Sequence, residues 1–300
     1  MQQQPQVIEI FDRCRVRRNR NRSSAAFARH DFLFQWVYHN LADRIGDIRR
    51  DFPLVLQTGA RGENKLKELL PNSTLITMDN AENFLDGKKY GVQAEEEFLP
   101  FKDNTFDAVI SPLALHSVND LPGALVQINR VLKPDGLFLG AMLGGETLYE
   151  LRRTMMQAEI NIKGGASPRV APFVDKPQTG ALLQRAGFAL PVVDSEIITT
   201  TYDSIFNLMH DIRGMGEGNS LADRRKTPPG KALFMETARL YQEQFSENDG
   251  RITASFEIIF MIGWAPHSSQ QQPLRPGSAK QRLADALQTE ERKSGVKVIE

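Results

Sequence analysis

The stretch FPLVLQTGARGENKLKELLPNSTLITMD, residues 52–79, decides the fold. FPLVLQ (52–57) is a short apolar run after a turn and reads as a buried strand. Gly59 and Gly62 follow, then KLKELL with helical spacing, and STLITMD (73–79) reads as a second strand closing on an acid. Two strands joined through a helix pair in parallel, because the crossover returns the chain to the same edge. Working outward, FDAVISP (106–112) is another buried strand, stopped by Pro112. Leu121, Leu125, Ile128 and Leu132 share one helix face, Lys133-Pro134-Asp135-Gly136 ends that helix, and LFLGAM (137–142) is the next strand.

Downstream the same grammar continues with longer connections. TLYELRRTMMQAEI (147–160) and TGALLQRAGF (179–188) are helical, the second closing at Gly187 as a left-handed cap requires. PVVDSEIITT (191–200) and ASFEIIFMIGW (254–264) are strands. Between them, one helix runs from Asp203 or Ser204 to Gly214, and a second, after Thr227-Pro228-Pro229, buries Phe234, Ala238, Tyr241 and Phe245. The alternation predicts an α/β fold with a doubly wound, mostly parallel sheet and a helical insertion before the last strand. Upstream, Phe27, Phe32, Phe34, Val37, Tyr38, Leu41, Ile45 and Ile48 predict one helix over 25–48. The expected organisation is a basic arm and helix over 1–50, the α/β domain over 51–268 with its insertion at about 203–250 acting as a lid, and a mobile tail over 269–300.

Composition excludes several classes. Thirty-seven basic and 37 acidic residues among 300 give a neutral chain with no global pull toward nucleic acid. No apolar run approaches the roughly 18 residues of a membrane helix, and the first 30 residues lack a secretory apolar core. Cys14, the single cysteine, forbids an intrachain disulfide and points to a reducing compartment. His30, His39, His116, His210 and His267 contain no i, i+4 pair, so no metal site is expected. Neutrality hides two local excesses: +5 over residues 1–30, with seven Arg against Glu9 and Asp12, and −5 over 79–107, with eight acids against three Lys. The Arg-rich start reads either as a solvated, frayed terminus or as an arm that docks on an acidic surface.

In a doubly wound sheet, ligands bind beyond the carboxyl ends of the strands where strand order reverses. Gly59 and Gly62 lie there, and glycine lets backbone approach a ligand closely, though two glycines are also simply a turn. Asp79 closes the second strand, placed either to accept ribose hydroxyls or to cap the following turn. Glu95, Glu96 and Glu97 precede a Leu-Pro-Phe turn; mutual repulsion makes a solvated loop the plain expectation for them.

Taken in order, the turn glycines, the acid at 79, the E-x-E-x-LPF string, FDAVIS, LHSV, LKPDG and RAGF resemble the class I S-adenosylmethionine-dependent methyltransferases, including the malonyl-carrier-protein methyltransferases of biotin synthesis. FDR (11–13), DFPLVL (51–56), EEFLPF (96–101), GAMLGGETLYELR (140–152), GMGEGN (214–219) and MIGW (261–264) are similar to the mitochondrial complex I assembly factor 5 family and its bacterial relatives. That family's animal member is a protein arginine hydroxylase on a methyltransferase fold. The resemblance covers about residues 8–268. It implies a Rossmann-like sheet and S-adenosylmethionine as cofactor, with Gly59, Ala60 and Gly62 against its methionine part. It further implies Asp79 on the ribose, Glu95 with Glu96 at the adenine amino group, and Ser111 to Leu113 beneath the sulfonium. His116 would face the substrate; as a helix-start histidine it would instead bond to backbone. Gln57 and Arg61 depart from the pattern, replacing an acid and a glycine of the cofactor loop.

Three functions follow from the resemblance: modification of an arginine in a complex I subunit, methylation of a small or carrier-bound carboxylate, or non-catalytic assisted assembly with a degenerate cofactor loop. Family motifs that begin at residue 11 leave little chain for a transit peptide, so a bacterial cytoplasm is expected before a mitochondrial matrix.

Overall fold

A computed structural model describes residues 9–62, 65–271, 278 and 282–289. The chain forms two units, Met1–His267 and Ser268–Glu300. Most of the tail expected to be mobile lies outside the described residues, as does the polar start at 1–8.

The first unit is built on seven strands: β1 Leu54–Thr58, β2 Thr74–Asp79, β3 Gly91–Gln93, β4 Phe106–Pro112, β5 Leu132–Leu143, β6 Ala189–Tyr202 and β7 Ile252–Trp264. Their order is β3-β2-β1-β4-β5-β7-β6. β1 pairs in parallel with β2 and β4, β2 with β3, and β4 with β5, while β7 runs antiparallel to both β5 and β6. This is the doubly wound, mostly parallel sheet the alternation predicts, and the order reverses between β1 and β4. The helices are α1 Arg13–Ser23, α2 Phe32–Gly46, α3 Lys65–Leu69, α4 Leu121–Val131, α5 Tyr149–Lys163, α6 Lys176–Arg185, α7 Ile205–Gly214 and α8 Lys231–Phe245. In the second unit the described residues hold α9, Leu283–Ala286.

Strand periodicity sorts the core into two layers, since successive side chains point to opposite faces. Val55, Ala108 and Ile110 join Phe34, Val37 and Leu41 of α2 and Leu208 of α7. Leu56 and Val109 join Leu125 and Ile128 of α4 and Leu183 of α6. Each such fully buried Val, Leu, Ile or Phe side chain contributes about 1.5–3 kcal/mol by removing apolar area from water.

Three local readings change. The helix expected over 25–48 is broken: a 3-10 turn, Ser24–Arg29, precedes α2, and His30 leaves helical geometry at φ −131°. Its ring is held elsewhere, with Nδ1 2.6 Å from Asp211 Oδ1 of α7. The turn at 133–136 does not end before a strand but lies inside β5 as an irregularity, with Asp135 at φ +62° and a register shift opposite Phe106 and Ala108. The Arg-rich segment is not frayed. Asp12 caps α1 by accepting from Arg15 N at 2.9 Å, and Phe11 and Val16 bury against Leu221 of the insertion.

Candidate functional site at the carboxyl edge of the sheet

The site forms where β1, β2 and β4 end. Gln57, at the end of β1, donates from Nε2 to Tyr38 Oη and to Gly59 O, both at 2.8 Å. Gly59 takes φ +86°, and a Cβ there would meet Ala114 Cβ at 2.9 Å. Gly62 takes φ +96°, and its Cβ would meet the Tyr38 ring at 2.7 Å. Both positions require glycine, yet what lies against them is the protein's own backbone and side chains. Asp79 accepts from Ala60 N at 2.8 Å and from Ala81 N at 2.9 Å, so its two oxygens staple the β1 turn to the β2 turn.

The acids of the 95–97 loop are not a solvated cluster. Glu96 is 1% exposed and lies between Arg20 Nη1, at 3.0 Å, and Arg13 Nη2. Glu95 accepts from Arg13 Nε at 2.9 Å, while Glu97 accepts from Asn119 N and, at 2.8 Å, from Asp120 N. Arg20, itself 1% exposed, reaches Asn80 Oδ1 at 3.2 Å and Ser117 Oγ at 3.2 Å, and stands 3.5 Å from Asp79 Oδ1. Burial favours the neutral form of Glu96, but the paired guanidinium groups of Arg13 and Arg20 hold its carboxyl at about 2. The reverse acts on Arg20: burial lowers it, and Glu96 followed by Asp79 raise it above its ordinary value.

A second ionic group adjoins the first. Arg61 is wholly buried, its guanidinium 4.7 Å above the Phe34 ring and bonded to Leu113 O, Met215 O and Glu217. Burial and then the repulsion of Arg20 lower it, against the attraction of Glu217. Glu217 in turn lies 3.1 Å from His116 Nε2. Its carboxyl is held well below the usual range: burial pushes it up, and His116 and Arg61 outweigh that. The histidine makes no backbone bond; both ring nitrogens are buried without a well-aligned hydrogen-bond partner. Ser111 Oγ is also buried without a partner, and Leu113 adopts φ +51° where the chain leaves β4. A leucine in the left-handed region is strained by roughly 1–2 kcal/mol, and its carbonyl is the one Arg61 holds.

Beside these groups opens a cavity of about 790 Å³ between the sheet edge and the insertion. Leu148, Met155, Phe173, Phe206, Met209 and Phe234 supply much of its apolar wall, and His116, after β4, and Glu217, of the insertion, also line it. Of the expected site residues, His116 lines this cavity, whereas Gly59, Ala60, Gly62, Asp79, Glu95, Glu96, Ser111 and Leu113 do not. Of these, Asp79, Glu95 and Glu96 are gathered around Arg13 and Arg20, and Leu113 O is held by Arg61. Sequence reasoning missed Arg13, Arg20 and Glu217. The first two sit at a spacing of seven with Val16 between them, two helical turns along one face, which is the signal that marks them as inward. Among the described residues no group of three or more His, Cys, Asp or Glu is placed to hold a metal ion, and no helix is long and apolar enough to cross a membrane.

The family model described as a methyltransferase domain matches residues 58–140, the segment carrying the strand ends above. The chain is 41% identical over 291 residues to the mitochondrial arginine-hydroxylase NDUFAF5 of Danio rerio, covering 93% of this chain and 90% of that protein. Against the Homo sapiens protein of the same name it is 43% identical, covering 92% of this chain and 82% of the other. The malonyl-[acyl-carrier protein] O-methyltransferase of Xylella fastidiosa (strain M23) is 30% identical, covering 86% and 90% respectively. A solved structure from Bacillus halodurans C-125, provisionally named a methyltransferase, superposes with a TM-score of 0.51 at 19% identity over 77% of this chain and 99% of that one, a likeness of fold alone.

Proposed function

We propose a function from one premise: the chain belongs to the NDUFAF5 arginine-hydroxylase family. On this reading it is a methyltransferase-fold enzyme that modifies a protein arginine during respiratory complex I assembly, acting in a bacterial cytoplasm. The observation that carries the reading is identity above 40% across more than nine-tenths of the chain. The chemistry of the site agrees with it. Glu96 and Glu217 each already hold a guanidinium group out of water, the arrangement in which a charge-assisted pair is worth most. In this reading His116 and Glu217 face the substrate from the cavity wall.

The cofactor of this reading is S-adenosylmethionine, bordered by Gly59, Ala60, Gly62, Asp79, Glu95, Glu96, Ser111 and Leu113. With α1 docked, these residues do not fit that group. The acids that would meet ribose and adenine hold Arg13 and Arg20, and the two glycines are packed by Ala114 and Tyr38.

A specific observation favours a second reading, methylation of a carrier-bound carboxylate. Arg15, Arg213 and Lys226 line the cavity and, among the described residues, have no carboxylate within ion-pair distance, so this part of its lining suits an anionic substrate. One assay separates the readings. The protein is incubated with S-adenosylmethionine and either an arginine-containing complex I subunit or a carrier-bound carboxylate, and the product is weighed by mass spectrometry. A gain of one oxygen or one methyl on an arginine supports the first reading, and a methyl on the carboxylate supports the second. Unchanged masses, with no cofactor binding at millimolar concentration, leave non-catalytic assisted assembly and overturn both.

A further inference from the structure

We propose that α1 is an intramolecular competitor for the nucleoside part of the cofactor site, so that ligand entry and α1 docking exclude one another. The inference rests on the cofactor reading above and concerns what must move for that reading to operate.

The geometry is specific. Arg20 touches Glu96, Asn80, Ser117 Oγ and Ala114 O, and approaches Asp79; together these lie at or beyond the ends of β2, β3 and β4. Arg13 closes the outer side by bridging Glu95, Glu96 and Ser117 O. A nucleoside needs acceptors for its ribose hydroxyls and its amino group, and in a doubly wound sheet it finds them at these strand ends. Here Glu95 and Glu96 accept from guanidinium groups of α1, and Asp79, bonded to Ala60 N and Ala81 N, has Arg20 Nη1 3.5 Å from its Oδ1. A flat, permanently charged group with several donors is a close chemical substitute for donor-rich ribose and adenine edges.

α1 is also held by contacts that have no part in the nucleoside site. Asp12 pairs with Arg224 at 3.0 Å, Asn19 donates to Gly218 O at 2.8 Å, and Phe11 bridges to Leu221. All three partners belong to the insertion, and Phe11 and Arg15 form part of the wall of the large cavity. Withdrawal of α1 would therefore expose the nucleoside acceptors and loosen the cavity together, which ties cofactor entry to substrate access.

The test is calorimetric binding of S-adenosylhomocysteine to the full chain and to three variants: Arg20→Ala, Arg13→Ala and Asp12→Ala. The first two empty the site directly. Asp12→Ala removes the helix cap and the Arg224 pair without touching a nucleoside acceptor, and it serves if Arg20→Ala fails to fold. Competition predicts that every folded variant binds at least tenfold more tightly than the wild-type chain. Equal or weaker binding by Asp12→Ala and Arg13→Ala, with measurable wild-type affinity, overturns the competition and leaves the cofactor reading standing. Binding undetectable in all four proteins at millimolar ligand overturns the competition and the cofactor reading together.

Discussion

Arg20 and Glu96, 76 residues apart in sequence, meet at 3.0 Å with each side chain 1% exposed. A buried ion pair gains little over an apolar substitute, but losing one member leaves an uncompensated charge in a dry site, at a cost of about 3–5 kcal/mol. Arg13 softens that cost by staying on Glu96. Arg20→Met is therefore expected to lower unfolding free energy by about 3 kcal/mol in urea titration at neutral pH. The double variant Arg20→Met/Glu96→Gln should be more stable than Arg20→Met, because it leaves one buried carboxylate, Asp79, without the Arg20 guanidinium instead of two.

The same pair sets an acid limit. The Glu96 carboxyl sits at about 2 in the folded chain against an ordinary 4.5. A depressed folded value means its contribution is complete above pH 4.5 and drains away as pH falls toward 2. Thermal midpoints should fall across that window, and Glu96→Gln should flatten this part of the decline while leaving the slope above pH 5 unaltered.

Gly62 and Gly164 separate backbone strain from steric conflict. Both have positive φ, +96° and +70°, but a Cβ meets Tyr38 at 2.7 Å in the first case and nothing within 4 Å in the second. Gly164→Ala should cost about 1 kcal/mol for the left-handed backbone alone. Gly62→Ala should cost roughly 2–4 kcal/mol, since a fully buried ring must also shift. Chemical denaturation of the two variants side by side checks the difference.

Filling the large cavity should separate substrate from cofactor. Met155 lines it and takes no part in the arginine–carboxylate cluster. Met155→Trp is expected to reduce modification of the protein substrate at least tenfold, while affinity for S-adenosylhomocysteine stays within a factor of two. Single-turnover product mass and calorimetry on the same preparation give both quantities.

Much of this fold is legible from local pattern. Short apolar runs punctuated by Gly59, Pro112 and Gly187 mark strands and helix ends, because each residue there constrains backbone regardless of distant partners. Asp79 could be placed at a strand end for the same reason. The fate of the Arg-rich start could not be read in that way. Seven arginines in thirty residues look like a solvated arm, and only the acids of a loop about eighty residues on turn Arg13 and Arg20 inward. Arg61 was visible as a departure at a glycine position, but its role required Glu217, which arrives from the insertion. The −5 and +5 excesses of the neutral chain were in plain sight and are, in part, two halves of one buried cluster.

The most direct test of this account is hydrogen exchange over residues 13–23, with and without saturating S-adenosylhomocysteine. Displacement of α1 by ligand predicts faster exchange throughout that helix, together with faster exchange at the facing loop 215–221. Slower exchange over 13–23 on ligand binding, as a helix closing down upon a bound nucleoside would give, contradicts it.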